Sequence, residues 1–270
     1  MDIASGEVTT LAFCWRLVRR DGAGLGFTSH DRDIEVDGLA YRAAPGMLPS
    51  AIAQGEGLEV DSLDVAGALT GDAITAADLE AGRWDGARVR VFAVDWERPE
   101  AGAIPLARGE LGAVSVKGAT FEAELRGPTA ALEGPVCEAT SPECRAELGD
   151  RRCRMDLAGR TARVRVASCD ADGMAAFAGA EDLGRFRFGR LRWLTEANSG
   201  LESPVVETGA GWVRLREPPP FAVAAGAAAE LHEGCDKRLE TCRDRFANVV
   251  NFRGEPHLPG NDLLTRYPGG

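Results

Sequence analysis

Alternation of apolar and polar side chains dominates the first half of the chain. In Leu11, Phe13, Trp15 and Leu17 the apolar residues recur at every second position, the period of a strand with one buried face. Asp21-Gly22 follows, a pair suited to a turn with positive φ, and GLGFTSHDRDIEVDGLAYRAA continues as the return strand and a third. Val60 and Leu63 to Val65 add extended pieces. RVRVFAVDWE, residues 88–97, alternates most cleanly and predicts a strand. IPLARGELGAVSVKGATFEAELRG predicts two or three more, broken at Gly112 and at Lys117-Gly118. One short helix interrupts the pattern: Thr75 is placed to cap TAADLEAG, Asp78 puts negative charge in its first turn, and Gly82 ends it.

The stretch from Pro128 to Pro135 marks a boundary, with Thr129 to Leu132 as a helical turn within it. Beyond it, ARVRVASCDADGMAAFAG, RFRFGRLRWLTE, SPVVETGAGWVRLREPPP and AAAELHEG predict four strand segments, ended in one case by Pro218-Pro219-Pro220. Phe186, Phe188, Leu191 and Trp193 supply large apolar groups for a small β-core. CDKRLETCRDRFANVVNF reads as helix, and the last twenty residues as loop. The expected fold class is mainly β with short helices (α+β). It divides into a β-rich region at 1–130, a cysteine-bearing segment at 131–160, an inserted small β domain at 161–232, and a second cysteine-bearing segment with a tail at 233–270.

Composition narrows the function. A chain of 270 residues with 44% hydrophobic content can bury a core without help from a metal. A net charge of −11 and the lack of a basic run argue against a protein built to grip nucleic acid. No run of about eighteen apolar residues predicts a membrane span. The opening residues lack the pattern of a secretory signal, so the chain is expected to be made in the cytoplasm, where thiols stay reduced. Seven cysteines there point to metal, redox chemistry or plain burial rather than disulfides.

Four of the seven form two pairs. Cys144 and Cys153 enclose eight residues, Cys235 and Cys242 enclose six, and Cys235 lies 82 positions after Cys153. Both segments are rich in charge and helix formers, and the second pair, seven apart on a predicted helix, would present both sulfurs on one side. Two such clips can close on one metal centre. Thiolates suit zinc and iron–sulfur clusters alike, but structural zinc sites favour gaps of two to four residues, and wider gaps reach round a bulkier cluster more easily. Arg145, Arg151, Arg152 and Arg154 flank the first pair, and Lys237, Arg238, Arg243 and Arg245 the second, where they would stabilise an anionic centre or simply solvate a helical face. Burial as small hydrophobes is the expectation for Cys14 and Cys169. Cys137 is either a spare or a substitute ligand, His232 is a conceivable ligand three residues before Cys235, and oxidation to disulfides after export stays open.

Other chemistry is sparse. His30-Asp31-Arg32-Asp33 reads as a turn or surface pair, with no nucleophile motif beside it. Asp61, Asp64 and Asp72 lack the alternation of a calcium loop, and the glycines from Gly22 to Gly26 join two strands instead of opening a phosphate-binding helix. His257 has no assigned role beyond packing.

The opening TTLAFCWRLVRRDGAGLGFTSHDRDIEVDGLAYRAAPGM, with CRAELGDRRCRMDL and GCDKRLETCRDRFANVVNFRGEPHLPGND later, resembles the tail hub family of siphophage-like elements and gene transfer agents. The cysteine spacing is also similar to that of the iron–sulfur tail tip protein L of phage lambda. The resemblance implies β-barrel-like hub domains at the N-terminus and a C-terminal cluster domain with the small β insertion. It implies a 4Fe–4S cluster on Cys144, Cys153, Cys235 and Cys242, and no catalytic residues. It further implies a homotrimer joining the distal tail protein to a larger, megatron-like tip protein, in a phage-like particle whose DNA passes through without being specifically bound. Two other readings stay open: an iron–sulfur redox or sensor enzyme, and a zinc-stabilised tail accessory module with wall-degrading activity involving His30 or Cys137.

Overall fold

The computed structural model describes residues 10–43, 48–49, 62–68, 74–117, 120–127, 130, 134–179 and 182–258. The chain divides into two compact units, Met1–Val136 and Cys137–Gly270. Among the described residues it is mainly β, with two short α-helices.

In the first unit, nine strands form one sheet: β1 (Leu11–Val18), β2 (Gly24–Thr28), β3 (Ile34–Val36), β4 (Leu39–Arg42), β5 (Leu48–Pro49), β6 (Ser62–Ala68), β7 (Arg88–Asp95), β8 (Ala103–Lys117) and β9 (Thr120–Arg126). Their order is β3-β4-β2-β1-β7-β8-β9-β6-β5. Most neighbours are antiparallel, and β2 with β4 is parallel. The clean alternation of residues 88–95 is β7, in the middle of the sheet. Trp15, Leu17, Val89, Val91 and Leu125 share one core beneath it.

The alternation in β1 misleads at Phe13, which is exposed while Ala12 and Cys14 are buried. At that end the opposite face of the strand is the covered one: Ile34, Val36 and Tyr41 close over Ala12, Cys14 and Val94 in a second core. Gly112 does not break its strand. β8 runs through it, with a register shift between Leu111 and Val114, so the glycine marks a bulge.

The predicted helix is α1 (Ala76–Glu80), and the Thr75 hydroxyl accepts the Asp78 N–H as its cap. Thr75→Ala is expected to cost about 1 kcal/mol, read as a lower denaturant midpoint with an unchanged slope. Asp61, Asp72 and most of the predicted turn at 129–132 lie outside the described residues.

In the second unit, six strands close into an antiparallel barrel: β10 (Thr161–Cys169), β11 (Met174–Phe177), β12 (Arg190–Trp193), β13 (Glu202–Gly209), β14 (Trp212–Leu215) and β15 (Ala228–His232). Two of the four predicted segments are therefore hairpins. In the first, the Asp170 carboxylate accepts the N–H groups of Asp172 and Met174 at 3.0 and 2.8 Å, a side-chain turn that strand periodicity does not report. Phe186, Leu191, Trp193, Val213 and Leu231 fill the barrel. Trp193 is fully buried and donates its indole N–H to Ser203 Oγ at 3.0 Å. Phe188 is 51% exposed with φ 61°, so it leaves the expected core, because the chain turns there between Phe186 and β12.

Candidate metal centre

Residues 137–160 form a run of turns without regular helix or strand. The helix formers between Cys144 and Cys153 do not make a helix because Asp150 captures their backbone donors. Its carboxylate accepts the N–H groups of Glu147, Arg152 and Cys153 at 3.0, 2.8 and 2.6 Å. Burial pushes the Asp150 carboxyl up, but these bonds outweigh it and hold it below the usual range. Gly149, at φ 83°, is needed just before: a Cβ there would lie 2.6 Å from Leu157. Glu138 bridges Arg145 and Arg152, and Arg152 also donates to the Arg145 carbonyl at 2.7 Å. The arginines beside the first pair thus fasten the loop to itself.

The second pair is not carried by one helix. α2 (Leu239–Asp244) contains Cys242 but begins four residues after Cys235. Lys237, at φ 65°, interrupts any helix between them. Asp236 then starts the helix, accepting the Arg238 N–H at 3.1 Å and the Thr241 hydroxyl at 2.8 Å.

These segments nevertheless meet. The Cys144 N–H donates to the Lys237 carbonyl at 2.9 Å, and Lys237 Nζ reaches back to the Ala146 carbonyl at 2.6 Å. Asn248 joins the other two cysteines: its N–H donates to the Cys242 carbonyl at 3.0 Å and its Nδ2 to the Cys153 carbonyl at 2.7 Å. The result is one small cavity of about 20 Å³ lined by Cys144, Cys153, Cys235 and Cys242, with Ala146, Leu148, Phe246 and Phe252 among its walls. Three sulfurs also accept N–H groups. Asn248 Nδ2 lies 3.6 Å from Cys153 Sγ, the Arg253 N–H lies 3.3 Å from Cys144 Sγ, and the Lys237 N–H serves Cys235. Burial raises the thiols of Cys235 and Cys242, and the neighbouring cysteines raise Cys242 further. The site therefore favours either protons or a cation on its sulfurs over bare thiolates. Among the described residues, no three His, Cys, Asp or Glu side chains converge as ligands of a single ion would.

The C-terminal segment braces this arrangement. Glu255 and Ser141 exchange hydrogen bonds, the Glu255 N–H to the Ser141 carbonyl at 2.7 Å and the Ser141 N–H to the Glu255 carboxylate at 2.9 Å. Arg145 grips the same carboxylate with both terminal nitrogens at 2.6 and 2.8 Å. The Arg145 guanidinium and the Ser141 N–H hold the Glu255 carboxyl at about 2, from an ordinary 4.5. A depressed carboxylate stabilises the fold above its unfolded value and loses that contribution as pH falls through its folded value. Glu255→Gln is thus expected to lower the denaturant midpoint at neutral pH. The gap to wild type should close between about pH 4.5 and about pH 2, in a titration of midpoint against pH.

The other candidates lie elsewhere. Cys137 is exposed and outside the cavity, Cys14 is buried with its thiol near Thr28 Oγ1, and Cys169 is partly buried at the end of β10. His232 sits in β15 with Nε2 3.2 Å from Glu230 and does not line the cavity. His30 occupies a turn, its Nδ1 3.1 Å from the Arg32 N and its ring tilted by 33° against Trp96, centroids 4.8 Å apart. His257 is exposed. Lys237, expected only as a flanking cation, works instead through its backbone and a bond to the Ala146 carbonyl, while Asn248 and Glu255 carry much of the assembly and were present in the sequence reading only within the stretch that resembles the hub family.

A family model described as "Baseplate hub protein, N-terminal attachment domain" matches residues 2–156. A second, described as "Phage conserved hypothetical protein BR0599", matches residues 184–262. The first match contains Cys144 and Cys153 and the second Cys235 and Cys242. No curated protein matches. Among matching solved structures is a chain from "Virion of native gene transfer agent (GTA) particle", 41% identical with a TM-score of 0.84 over 99% of this chain and 94% of that one. With a model spanning more than half its length and a relative this similar end to end, the chain belongs to the baseplate hub protein family.

Proposed function

We propose that this protein is the structural hub of a gene-transfer-agent-like tail, and that Cys144, Cys153, Cys235 and Cys242 hold a 4Fe–4S cluster within it. The observation that carries the cluster is the convergence of four thiols from two distant segments around one small cavity, with N–H groups aimed at three of the sulfurs. Such donors are the outer-shell contacts that tune and stabilise thiolate-bound clusters. A lone zinc ion, with Zn–S bonds of about 2.3 Å, needs tightly converging ligands, and among the described residues no three such side chains converge in that way. When bound, the cluster would cross-link segments 82 positions apart and supply rigidity. Lys237, Asn248 and Arg145 bring those segments together without it. His30 and Cys137, on which a wall-degrading reading depends, belong to different units.

In this reading three copies assemble between the distal tail protein and the larger tip protein, and DNA leaves through their centre. The net charge of −11 supports a surface that DNA passes without sticking. Anaerobic purification followed by iron, zinc and acid-labile sulfide counts tests the centre. About four iron and four sulfide per chain are expected; about one zinc, or no metal under strict anaerobiosis, would remove the cluster.

A further inference from the structure

We propose that an arginine-rich face of the N-terminal sheet is a contact between copies of this chain, and that it receives the acidic strip around β3 of the neighbouring copy. The proposal rests on the self-association proposed above and names the surface that carries it.

Arg16, Arg90 and Arg108 stand directly opposite one another on β1, β7 and β8. In the next row Arg88, Glu110 and Arg126 do the same on β7, β8 and β9. All six line one groove of about 820 Å³. The face is the one that β3 and β4 cover farther along the strands, over Ala12, Cys14 and Val94. The arginines begin where that cover stops. Opposed side chains on neighbouring strands have Cβ atoms about 5 Å apart, and like charges so placed repel. Arg126 is paired with Glu124 at 3.2 Å, but among the described residues no carboxylate forms an ion pair with Arg16, Arg88, Arg90 or Arg108. Glu110 stands opposite Arg88 and Arg126 but no carboxylate stands within the row of Arg16, Arg90 and Arg108, whose repulsion water and salt screen and an anionic partner would turn into attraction.

Each copy carries such a partner. Asp31, Asp33, Glu35 and Asp37 alternate through β3 and its flanks, all exposed, while Ile34 and Val36 point into the core. β3 itself covers only Ile34–Val36, Asp37 turns at φ 51° and the Asp33 carboxylate accepts the Ala43 N–H at 2.8 Å, so the strip is a cluster of exposed carboxylates around Glu35, on an edge strand. A surface and its different complement on every copy make a head-to-tail contact, which closes into a ring when the rotation allows. Bidentate pairing with carboxylates is the arrangement arginine favours at interfaces. Nucleic acid fits less well. Glu110 sits within the arginine rows, no aromatic side chain among the described lining residues offers a base a stacking platform, and the chain as a whole is acidic.

The test uses the full-length protein in sedimentation velocity across concentration and salt, with variants R90E, E35R and R90E/E35R. Wild type should self-associate, and more weakly at high salt. R90E and E35R should each lower association at least tenfold, with part of it recovered in R90E/E35R. R90E should also melt no lower than wild type, because it places a carboxylate between Arg16 and Arg108; lost association then cannot be lost folding. Unchanged association in R90E would leave the proposed oligomer standing and remove this face from it. A combined variant no better than R90E would overturn the pairing with β3. Loss of duplex-DNA binding in R90E, with association intact, would assign the face to nucleic acid. A monomeric wild type would overturn the self-association reading itself.

Discussion

Serine in place of Cys242 is expected to give a colourless protein whose second unit melts roughly 10–15 °C lower than wild type. A centre held by four side chains has no preformed counterpart in the unfolded chain, so its binding free energy adds to folding. Treated as a cross-link between Cys153 and Cys235, 82 positions apart, the closure is worth about 4–5 kcal/mol in a chain-entropy picture. Cys242 is the most buried of the four, on α2, where a hydroxyl offers a harder and weaker ligand in a pocket walled by Phe246 and Phe252. Cys137→Ser, at an exposed position outside the cavity, should change neither colour nor melting. The check is iron and sulfide per chain alongside thermal melts under anaerobic conditions. Full iron content in the Cys242 variant would remove this residue from the ligand set.

Alanine at Gly234 is expected to cost about 3 kcal/mol or more and to empty the centre although no ligand is touched. A Cβ there would lie 2.1 Å from the Arg187 carbonyl oxygen and 2.2 Å from the Gly189 nitrogen. These are backbone atoms that cannot rotate aside. The approach is reciprocal, since a Cβ at Gly189 would lie 2.0 Å from the His232 carbonyl oxygen. The two glycines let the chain leaving β15 press against the turn entering β12, and the next residue after Gly234 is Cys235. Relief of the clash must displace that sulfur. Denaturation of metal-free protein would report the steric cost, and iron occupancy the displacement. Wild-type values for both would show that the 187–189 turn yields freely.

What the sequence revealed follows from how far each signal reaches. β7 and the Thr75-capped helix were legible because their determinants are local, an alternation in one case and a hydroxyl three residues from the N–H it accepts in the other. The pairing of the cysteine clips was legible because cysteine is scarce and its chemistry narrow. The face of Phe13 was misread because the cover supplied by Ile34, Val36 and Tyr41 comes from other strands. The helix expected across Cys235 and Cys242 failed at Lys237, whose left-handed backbone no propensity forecasts. Asn248 was invisible: it bonds Cys153 across 95 positions, and a side chain reaching that far leaves no period behind.

Thr161 and His232, the first residue of β10 and the last of β15, are cross-strand partners. The pairing continues outward, with the Glu233 N–H donating to the Arg160 carbonyl at 3.0 Å and the Arg160 guanidinium meeting Glu233 at 2.9 Å. The barrel therefore leaves the cysteine segments and returns to them at a single doorway, about 5 Å wide as adjacent antiparallel strands require. In topological terms it is a cassette. A replacement module would have to meet that spacing and also reproduce the close approach of the 187–189 turn to Gly234, if the four thiols beneath it are to keep their places.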